Sequence, residues 1–254
     1  NCEDSIKRVR NCFPMNTASL ARDLAAIVGT DGVITDPVAL ATYDCDAYTI
    51  EKAMPTVVVL PQNTEQVAAI MRYAHQQAIP VIPRGAGTGL SGGALAVNGG
   101  IVVVTSRMNR ILWVDVRNRR LRAQAGAVNL HLSRAVAHAN LHFAPDPSSQ
   151  GACTLGGNIA ENSGGPHTLK YGVTVNHITA IQGVLPDGEV VELGGDEDEP
   201  YGYDLVGLVV GSEGTLLFVT EATVRLTPNP QSVRTMLAVF ETLEDASQTV
   251  SDII

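Results

Sequence analysis

Aromatic residues, cysteine clusters and long apolar runs are scarce in this 254-residue chain. Phe, Trp and Tyr together make up 4% of it, and the four cysteines form no C-x-x-C pair and no group with histidines. We therefore expect no disulfide framework and no metal site. No run of about 18 apolar residues is present, so no membrane-spanning helix is predicted.

Basic residues are also in the minority, and the formal net charge is −9. Such a surface repels nucleic acid and anionic membranes, so neither is expected as a partner. Residues 1–18 contain no apolar signal-peptide core and are interpreted as an N-terminal arm or expression remnant. A cytoplasmic location follows. The acidic run 192–199 is interpreted as a solvated loop rather than a metal site.

Glycine, by contrast, is concentrated in one place. Seven of the 24 glycines fall between Pro83 and Gly100. A backbone without Cβ atoms can point several N–H groups at one anion, so this glycine loop predicts a phosphate or pyrophosphate site. Arg84 opens the loop, and no further charged residue follows it until Arg107, so peptide dipoles would supply most of the binding. The candidate contacts are Arg84, Gly85, Ala86, Gly87, Thr88, Gly89, Leu90, Ser91 and Gly92.

The same loop formally satisfies G-x-G-x-x-G through Gly87, Gly89 and Gly92. A nicotinamide-binding unit would need a helix directly after the loop and an acidic residue about 20 positions later. Here a β-rich run at 101–105 follows, and the next acidic residue is Asp115. A strand–loop–strand phosphate cradle is therefore favoured, with a flexible surface loop as the alternative.

A second cluster of small residues spans positions 144–165. Paired glycines would let the backbone approach a flat ring, and hydroxyl and amide side chains could hydrogen-bond its edge. Those side chains are Ser148, Ser149, Thr154, Asn158 and Ser163. Two such loops indicate one extended ligand, with its phosphates in the first loop and its ring in the second.

Hydrophobic periodicity predicts a chain of mixed α and β elements. Helices are predicted at 19–28, 63–78, 130–139, 203–210 and 242–254. Strands are predicted at 56–60, 79–83, 101–105, 111–116, 121–125, 178–185, 189–193, 216–226 and 234–240. The glycine loop then lies at the carboxyl edge of a strand in a β–α–β unit, where ligands of α/β sheets bind.

Four motifs in this order resemble the FAD-binding domain of the vanillyl-alcohol oxidase superfamily. They are the glycine loop, the 145–165 run, Leu169-Lys-Tyr-Gly172 and the 211–226 segment, which together cover about residues 35–230. Within the superfamily they are similar to the branch of the glycolate oxidase FAD-binding subunit and the flavin-dependent D-lactate dehydrogenases.

The resemblance implies an α+β, two-subdomain FAD-binding fold. A small α/β subdomain is followed by a larger mixed or antiparallel sheet flanked by helices. We expect the FAD-binding domain to occupy residues 19–230. Residues 231–254 would begin a truncated α+β substrate domain.

Carried over residue by residue, the resemblance assigns the pyrophosphate to residues 84–93 and the ribityl chain, ring and adenine to later segments. The later candidates are Gly126, Pro145, Ser148, Ser149, Cys153, Thr154, Gly156, Gly157, Asn158, Ala160, Ser163, Gly164, Gly165, Glu213, Gly214 and Val219. Cys153 is expected to pack as a small, soft residue rather than to react.

The implied activity is oxidation of a small D-2-hydroxy acid by hydride transfer to flavin N5. The base, the carboxylate-binding arginine and the metal site of this family belong to the substrate domain, so no catalytic residue is assigned here. Electron-transfer subunits are implied as partners, with peripheral attachment to the inner membrane as an alternative location. Three alternatives remain: a non-catalytic FAD-binding subunit, a nicotinamide dehydrogenase and a reductase of a sugar-nucleotide enol ether.

Some relatives in the superfamily attach the flavin through a histidine in the phosphate loop. The glycine loop of this chain contains no histidine, so non-covalent FAD is expected. His131, His138 and His142 lie on or near a predicted surface helix and are interpreted as ordinary. His167, between Gly165 and Leu169, is the better candidate for a functional role.

Acid precipitation tests the non-covalent attachment. Trichloroacetic acid unfolds the protein and releases a dissociable cofactor, so we expect a colourless pellet under a yellow supernatant. Absorbance of the two fractions is the measurement. A pellet that stays yellow after washing would contradict the prediction.

Overall fold

The computed structural model describes residues 17–195 and 202–254. Its helices are α1 (Thr17–Val28), α2 (Pro37–Leu40), α3 (Thr64–Gln76), α4 (Asn129–Val136), α5 (Leu155–Glu161), α6 (Thr168–Tyr171), α7 (Leu205–Val209) and α8 (Leu243–Ile253). Its strands are β1 (Val33–Ile34), β2 (Val57–Val59), β3 (Val81–Arg84), β4 (Ile101–Val104), β5 (Ile111–Asp115), β6 (Arg120–Gln124), β7 (Leu141–His142), β8 (Ile178–Val184), β9 (Val190–Gly194), β10 (Phe218–Arg225) and β11 (Thr227–Pro228).

A four-stranded sheet with the order β1-β2-β4-β3 forms the first half of the fold. Strands β2, β4 and β3 are parallel, and β1 is antiparallel to β2. Residues 57–59 and 101–104 are all buried, which explains their unbroken β-branched runs, because parallel strands are covered on both faces. The neighbours β3 and β4 are joined by the glycine loop, which contains no helix.

A five-stranded antiparallel sheet with the order β5-β6-β10-β8-β9 forms the second half. The hairpin between β8 and β9 turns at Pro186, Asp187 and Gly188, as predicted, and Gly188 has the positive φ of 87° that favours glycine in such a turn. Helices α4, α5 and α7 contribute Leu132, Ile159 and Val209 to the core on this sheet.

Helix α3 joins the two halves. It begins at Thr64, where the Asn63 side chain caps it by accepting a hydrogen bond from the Gln66 N–H. Its buried face packs with α1 and the first sheet, and Val184 and Phe218 of the second sheet belong to the same hydrophobic cluster. The Thr64 hydroxyl also donates to Gln182 Oε1 of β8 at 2.8 Å. One hydrophobic cluster therefore includes residues of both sheets.

The predicted α+β fold with a small α/β subdomain and a larger antiparallel sheet is confirmed. The predicted helices and strands agree with the observed ones to within a few residues, with one exception described below. The arm predicted for residues 1–18 lies outside the described residues, except that Thr17 and Ala18 begin α1. In the acidic run, residues 192–194 lie in β9, and residues 196–199 are also outside the described part.

The strand predicted for residues 234–240 is wrong. These residues form no ladder with any strand of the described chain. Met236, Leu237 and Val239 are 88–93% exposed, so alternation of apolar residues does not by itself make a strand where no neighbour supplies hydrogen bonds and cover. The helix predicted after this segment is present, and the Thr242 hydroxyl caps it by accepting from the Asp245 N–H at 3.1 Å.

Within residues 17–195 and 202–254, none of the helices combines the length and the apolar character that crossing a bilayer requires.

Candidate functional site

A cleft opens where the carboxyl end of β3 meets α5 and the segment before β10. The glycine loop forms one wall, α5 and the residues just before it form the second, and residues 209–219 form the third. These three segments are far apart in sequence. The fold brings them together because β3 lies beside β4 and because α5 packs on the second sheet.

Most of the residues predicted to contact a cofactor line this cleft. They are Arg84, Gly85, Ala86, Gly87, Thr88, Gly89, Ser149, Cys153, Thr154, Gly156, Gly157, Asn158, Ala160, Ser163, Glu213, Gly214 and Val219.

The remaining candidates lie outside the lining of the cleft. Leu90, Ser91 and Gly92 form the tip of the glycine loop, where Leu90 is 74% exposed. The other five candidates are also absent from the lining. They are Gly126, Pro145, Ser148, Gly164 and Gly165.

Several lining residues were missed by sequence reasoning. Glu161 was within a recognised motif but was not selected, and Asp46 lies in a segment with no recognisable motif. Gly93 was not missed, because it falls inside the range 84–93 that the resemblance assigned to the pyrophosphate, and Leu217 and Phe218 belong to the recognised 211–226 segment. The other missed residues are Pro83, Ala94, Thr105, Ala125, Ile159, Val209 and Ser212.

Glycines let α5 lie close to the glycine loop on one side and to the end of β6 on the other. A Cβ on Gly85 would collide with Thr154 Oγ1, and one on Gly156 would lie 2.9 Å from the Ala125 Cβ. Thr154 also caps α5, because its hydroxyl accepts a hydrogen bond from the Gly157 N–H at 3.2 Å. Side chains at these positions would close or distort the cleft, which explains why glycines occupy them.

Arg84 lies beneath the loop rather than at its open side. Its guanidinium is 5.5 Å from the centre of the Tyr43 ring, and only 8% of the residue is exposed. Burial lowers the pKa of this guanidinium, and the nearby Asp46 carboxylate opposes that shift. The Nη1 atom is buried and has no hydrogen-bond partner in the described chain. A buried charged donor without a partner is costly, so this atom is suited to an oxygen of a ligand in the cleft.

Three carboxylates also line the cleft. Asp46 Oδ1 accepts from the Tyr48 N–H at 2.8 Å. The Glu161 oxygens accept from the Ser91 hydroxyl at 3.0 and 3.1 Å. Glu213 holds a positive φ of 54°, an uncommon conformation for a residue with a side chain, and its N–H donates to Ala160 O. The cleft therefore contains more formal negative than positive charge.

Cys153 is buried in the cleft wall. Burial raises the pKa of its thiol, so the thiol stays neutral near pH 7 and does not form a nucleophilic thiolate. This agrees with the interpretation of Cys153 as a packing residue.

His167 pairs with Asp146 outside the cleft lining. Its Nδ1 lies 2.6 Å from Asp146 Oδ2, while the His167 side chain is 66% exposed. His142 lies in β7 and packs edge-on against Tyr171, with ring centres 5.8 Å apart. Among the described residues, no group of three or more His, Cys, Asp or Glu side chains is arranged to hold a metal ion.

Comparison with known proteins identifies the family of this chain and its cofactor. A model of the FAD binding domain family matches residues 55–194, more than half of the chain. The chain belongs to this family. Its cofactor is FAD, and the two-loop cleft lies largely within or beside the matched region.

Similar proteins are found among curated sequences and among solved structures. Glycolate oxidase subunit GlcD of Escherichia coli (strain K12) is 49% identical over 212 residues, which are 84% of this chain and 42% of that protein. D-lactate dehydrogenase of Anaerostipes hadrus is 41% identical over 78% of this chain and 42% of its own length. Among solved structures, alkyldihydroxyacetonephosphate synthase superimposes with a TM-score of 0.76 at 27% identity, over 88% of this chain and 47% of that one. The chain thus spans less than half the length of these proteins.

The residues of the cleft fit the chemistry of FAD. Glycine backbone and the unpartnered Arg84 Nη1 suit phosphate oxygens. Ser149, Thr154 and Ser163 offer hydroxyl groups at the opposite wall, where they suit the polar edge of a flat ring.

Substitution of Gly126 tests whether this residue, which was predicted to contact the cofactor, instead has a structural role. A Cβ there would collide with Thr105 O and lie 2.8 Å from Met108 O. We expect Gly126→Ala to lower the free energy of unfolding by ~1–3 kcal/mol or more, because the added methyl group overpacks this site. Gly151→Ala is the matched control, because a Cβ at Gly151 meets nothing within 4 Å. Urea unfolding followed by circular dichroism measures both, and equal stability of the two variants would contradict a structural role for Gly126.

Proposed function

We propose that this chain is the FAD-binding part of an oxidoreductase that oxidises a D-2-hydroxy acid of the glycolate or D-lactate type. One observation carries the proposal. Cofactor contacts predicted from three distant segments, represented by Gly87, Thr154 and Val219, converge on a single cleft. The names of the GlcD and D-lactate dehydrogenase relatives supply the substrate class.

FAD, when bound, supplies the acceptor for the hydride that leaves the α-carbon of the substrate. The glycine loop binds the pyrophosphate with its N–H groups, and the buried Arg84 guanidinium adds positive charge from below. The Ser149 and Ser163 hydroxyls orient the ring edge. The apolar residues Leu217 and Phe218 keep water from the floor of the cleft.

Residues 19–230 form the FAD-binding domain in this proposal, and residues 231–254 belong to the beginning of a substrate domain. The exposure of Met236, Leu237 and Val239 supports the second assignment, because apolar side chains in a row are normally covered in the working protein. The base and the groups that bind the substrate carboxylate would then lie in that domain.

The setting we propose is a hetero-oligomer with electron-transfer subunits, located in the cytoplasm or attached peripherally to the inner membrane. The similarity to a protein named as a subunit of glycolate oxidase supports the assembly.

A non-catalytic FAD-binding subunit is the second candidate. The residues that line the described cleft include no histidine, lysine or tyrosine, and the general bases that remain in the lining are the carboxylates of Asp46, Glu161 and Glu213. Because Asp46 and Glu161 already accept hydrogen bonds from the Tyr48 N–H and the Ser91 hydroxyl, this arrangement favours a chain that holds the cofactor while another part of the assembly handles the substrate proton.

The absorption spectrum of the purified chain with FAD tests the cofactor and the substrate class together. We expect the two flavin bands to co-elute with the protein on gel filtration. Under anaerobic conditions D-lactate or glycolate should bleach them slowly or not at all, because the base and the carboxylate-binding groups are assigned to the substrate domain, and L-lactate is the matched control. Rapid bleaching by D-lactate or glycolate would contradict that assignment, and no co-eluting flavin would contradict both candidates.

Gly89→Ala tests the position of the pyrophosphate. A Cβ at Gly89 has Glu161 Oε1 as its nearest neighbour at 3.7 Å, an ordinary contact, so the fold should tolerate it. The added methyl enters the space proposed for the phosphates. We expect the FAD dissociation constant to rise about tenfold or more, since overpacking costs ~1–3 kcal/mol.

Quenching of FAD fluorescence measures this affinity, and thermal melting checks the fold. Gly195→Ala is the control, because a Cβ there meets nothing within 4 Å and Gly195 does not line the cleft. Unchanged FAD affinity in Gly89→Ala would exclude the pyrophosphate from this part of the loop.

A further inference from the structure

The carboxylate of Glu161 lies within the curve of the glycine loop. Both of its oxygens accept the Ser91 hydroxyl, at 3.0 and 3.1 Å. The Cβ positions of Gly89 and Gly93 lie 3.7 and 3.8 Å from Glu161 Oε1. A negatively charged group of the chain itself thus faces the part of the loop that is suited to an anion.

The charges around Glu161 do not neutralise it. The Cβ position of Gly93 lies 3.6 Å from Glu213 Oε2, so a second carboxylate borders the same stretch of loop. Arg84 is beneath the loop, close to Gly87, and its nearest carboxylate neighbour in the cleft is Asp46. A pyrophosphate placed beside Glu161 would therefore meet a like charge at short range.

Glu161 is able to move away. It is the last residue of α5, and Asn162 after it has the left-handed conformation that ends the helix. Its side chain is exposed, and the Ser91 hydroxyl is its only hydrogen-bond partner within the described residues. An exposed charge-assisted hydrogen bond of this kind is weak and easily exchanged.

We propose that the Glu161 carboxylate occupies the anion position of the glycine loop when the cofactor is absent and leaves it when the pyrophosphate binds. The Ser91 hydroxyl then exchanges its carboxylate acceptor for a phosphate oxygen. Glu161 thereby sets the affinity for FAD and opposes anionic ligands that cannot displace it. This inference rests on the proposed position of the pyrophosphate in the loop.

Glu161→Gln removes the charge and keeps the shape and the acceptor for Ser91. We expect the variant to bind FAD and ADP more tightly than the unmodified chain, by about three- to tenfold, the size expected for exposed like charges a few ångströms apart. Riboflavin has no phosphate, so its affinity should not change. Added salt should shrink the difference between the two proteins, because it screens exposed charges.

Fluorescence quenching for the flavins and calorimetry for ADP give the dissociation constants of the flavin-free 254-residue chain. Glu189→Gln is the matched control, since Glu189 is exposed in the β8–β9 hairpin and does not line the cleft. It should bind all three ligands like the unmodified chain, and equal melting temperatures would show that both variants are folded.

Equal or weaker binding of FAD and ADP by Glu161→Gln would overturn the inference, as would an equal gain for riboflavin. Those results leave FAD binding by the unmodified chain intact and so leave the proposed function standing. If the unmodified chain binds neither FAD nor ADP, the proposed position of the pyrophosphate fails, and the inference fails with it.

Discussion

The close fit of Gly85 against Thr154, at the start of α5, is the constraint on which the cleft depends. The loop runs directly from β3 to its parallel neighbour β4, and a Cβ at Gly85 would collide with Thr154 Oγ1. On its other side α5 lies close to the end of β6, where a Cβ at Gly156 would be 2.9 Å from the Ala125 Cβ. Glycine at both positions therefore lets the glycine loop, α5 and the second sheet come close enough to form one cleft.

The charge distribution follows from the same packing. The loop covers Arg84 from above. On its other side the guanidinium lies over the Tyr43 ring and is stabilised by the charge of Asp46. Burial of this cation leaves Arg84 Nη1 without a hydrogen-bond partner in the described chain, which is energetically unfavourable. A ligand oxygen would supply the missing partner. Glu161 and Glu213 lie on the open side, where displacement is easier. An anionic ligand in the cleft would therefore be attracted by Arg84 beneath the loop and repelled by Glu161 and Glu213 on the open side.

Local signals in the sequence were sufficient for much of this fold. The Asn63 cap, the turn at Gly188 and the glycine spacing each depend on a few neighbouring residues, and each was predictable. The conformation of residues 234–240 was not predictable in this way. A strand needs a hydrogen-bonded neighbour, and the periodicity of one segment does not show whether such a neighbour exists.

The candidate site likewise contains residues that local sequence signals predict and residues that only tertiary contacts explain. Glycines and hydroxyl residues in two recognisable loops indicated most of the lining. Asp46 could not be found, because its link to the cleft is electrostatic and depends on the buried Arg84, which is far from it in sequence. The outward position of Leu90 and the structural position of Gly126 likewise depend on tertiary contacts.

Val184 and Phe218 lie in the second sheet, but their side chains belong to the hydrophobic cluster of the first sheet. The chain up to Val104 contains every strand of the first sheet, yet a protein cut there would lack these side chains and would leave an apolar gap beside Ile70 of α3. The first sheet therefore cannot complete its own core, and we expect the two sheets to unfold together rather than one after the other.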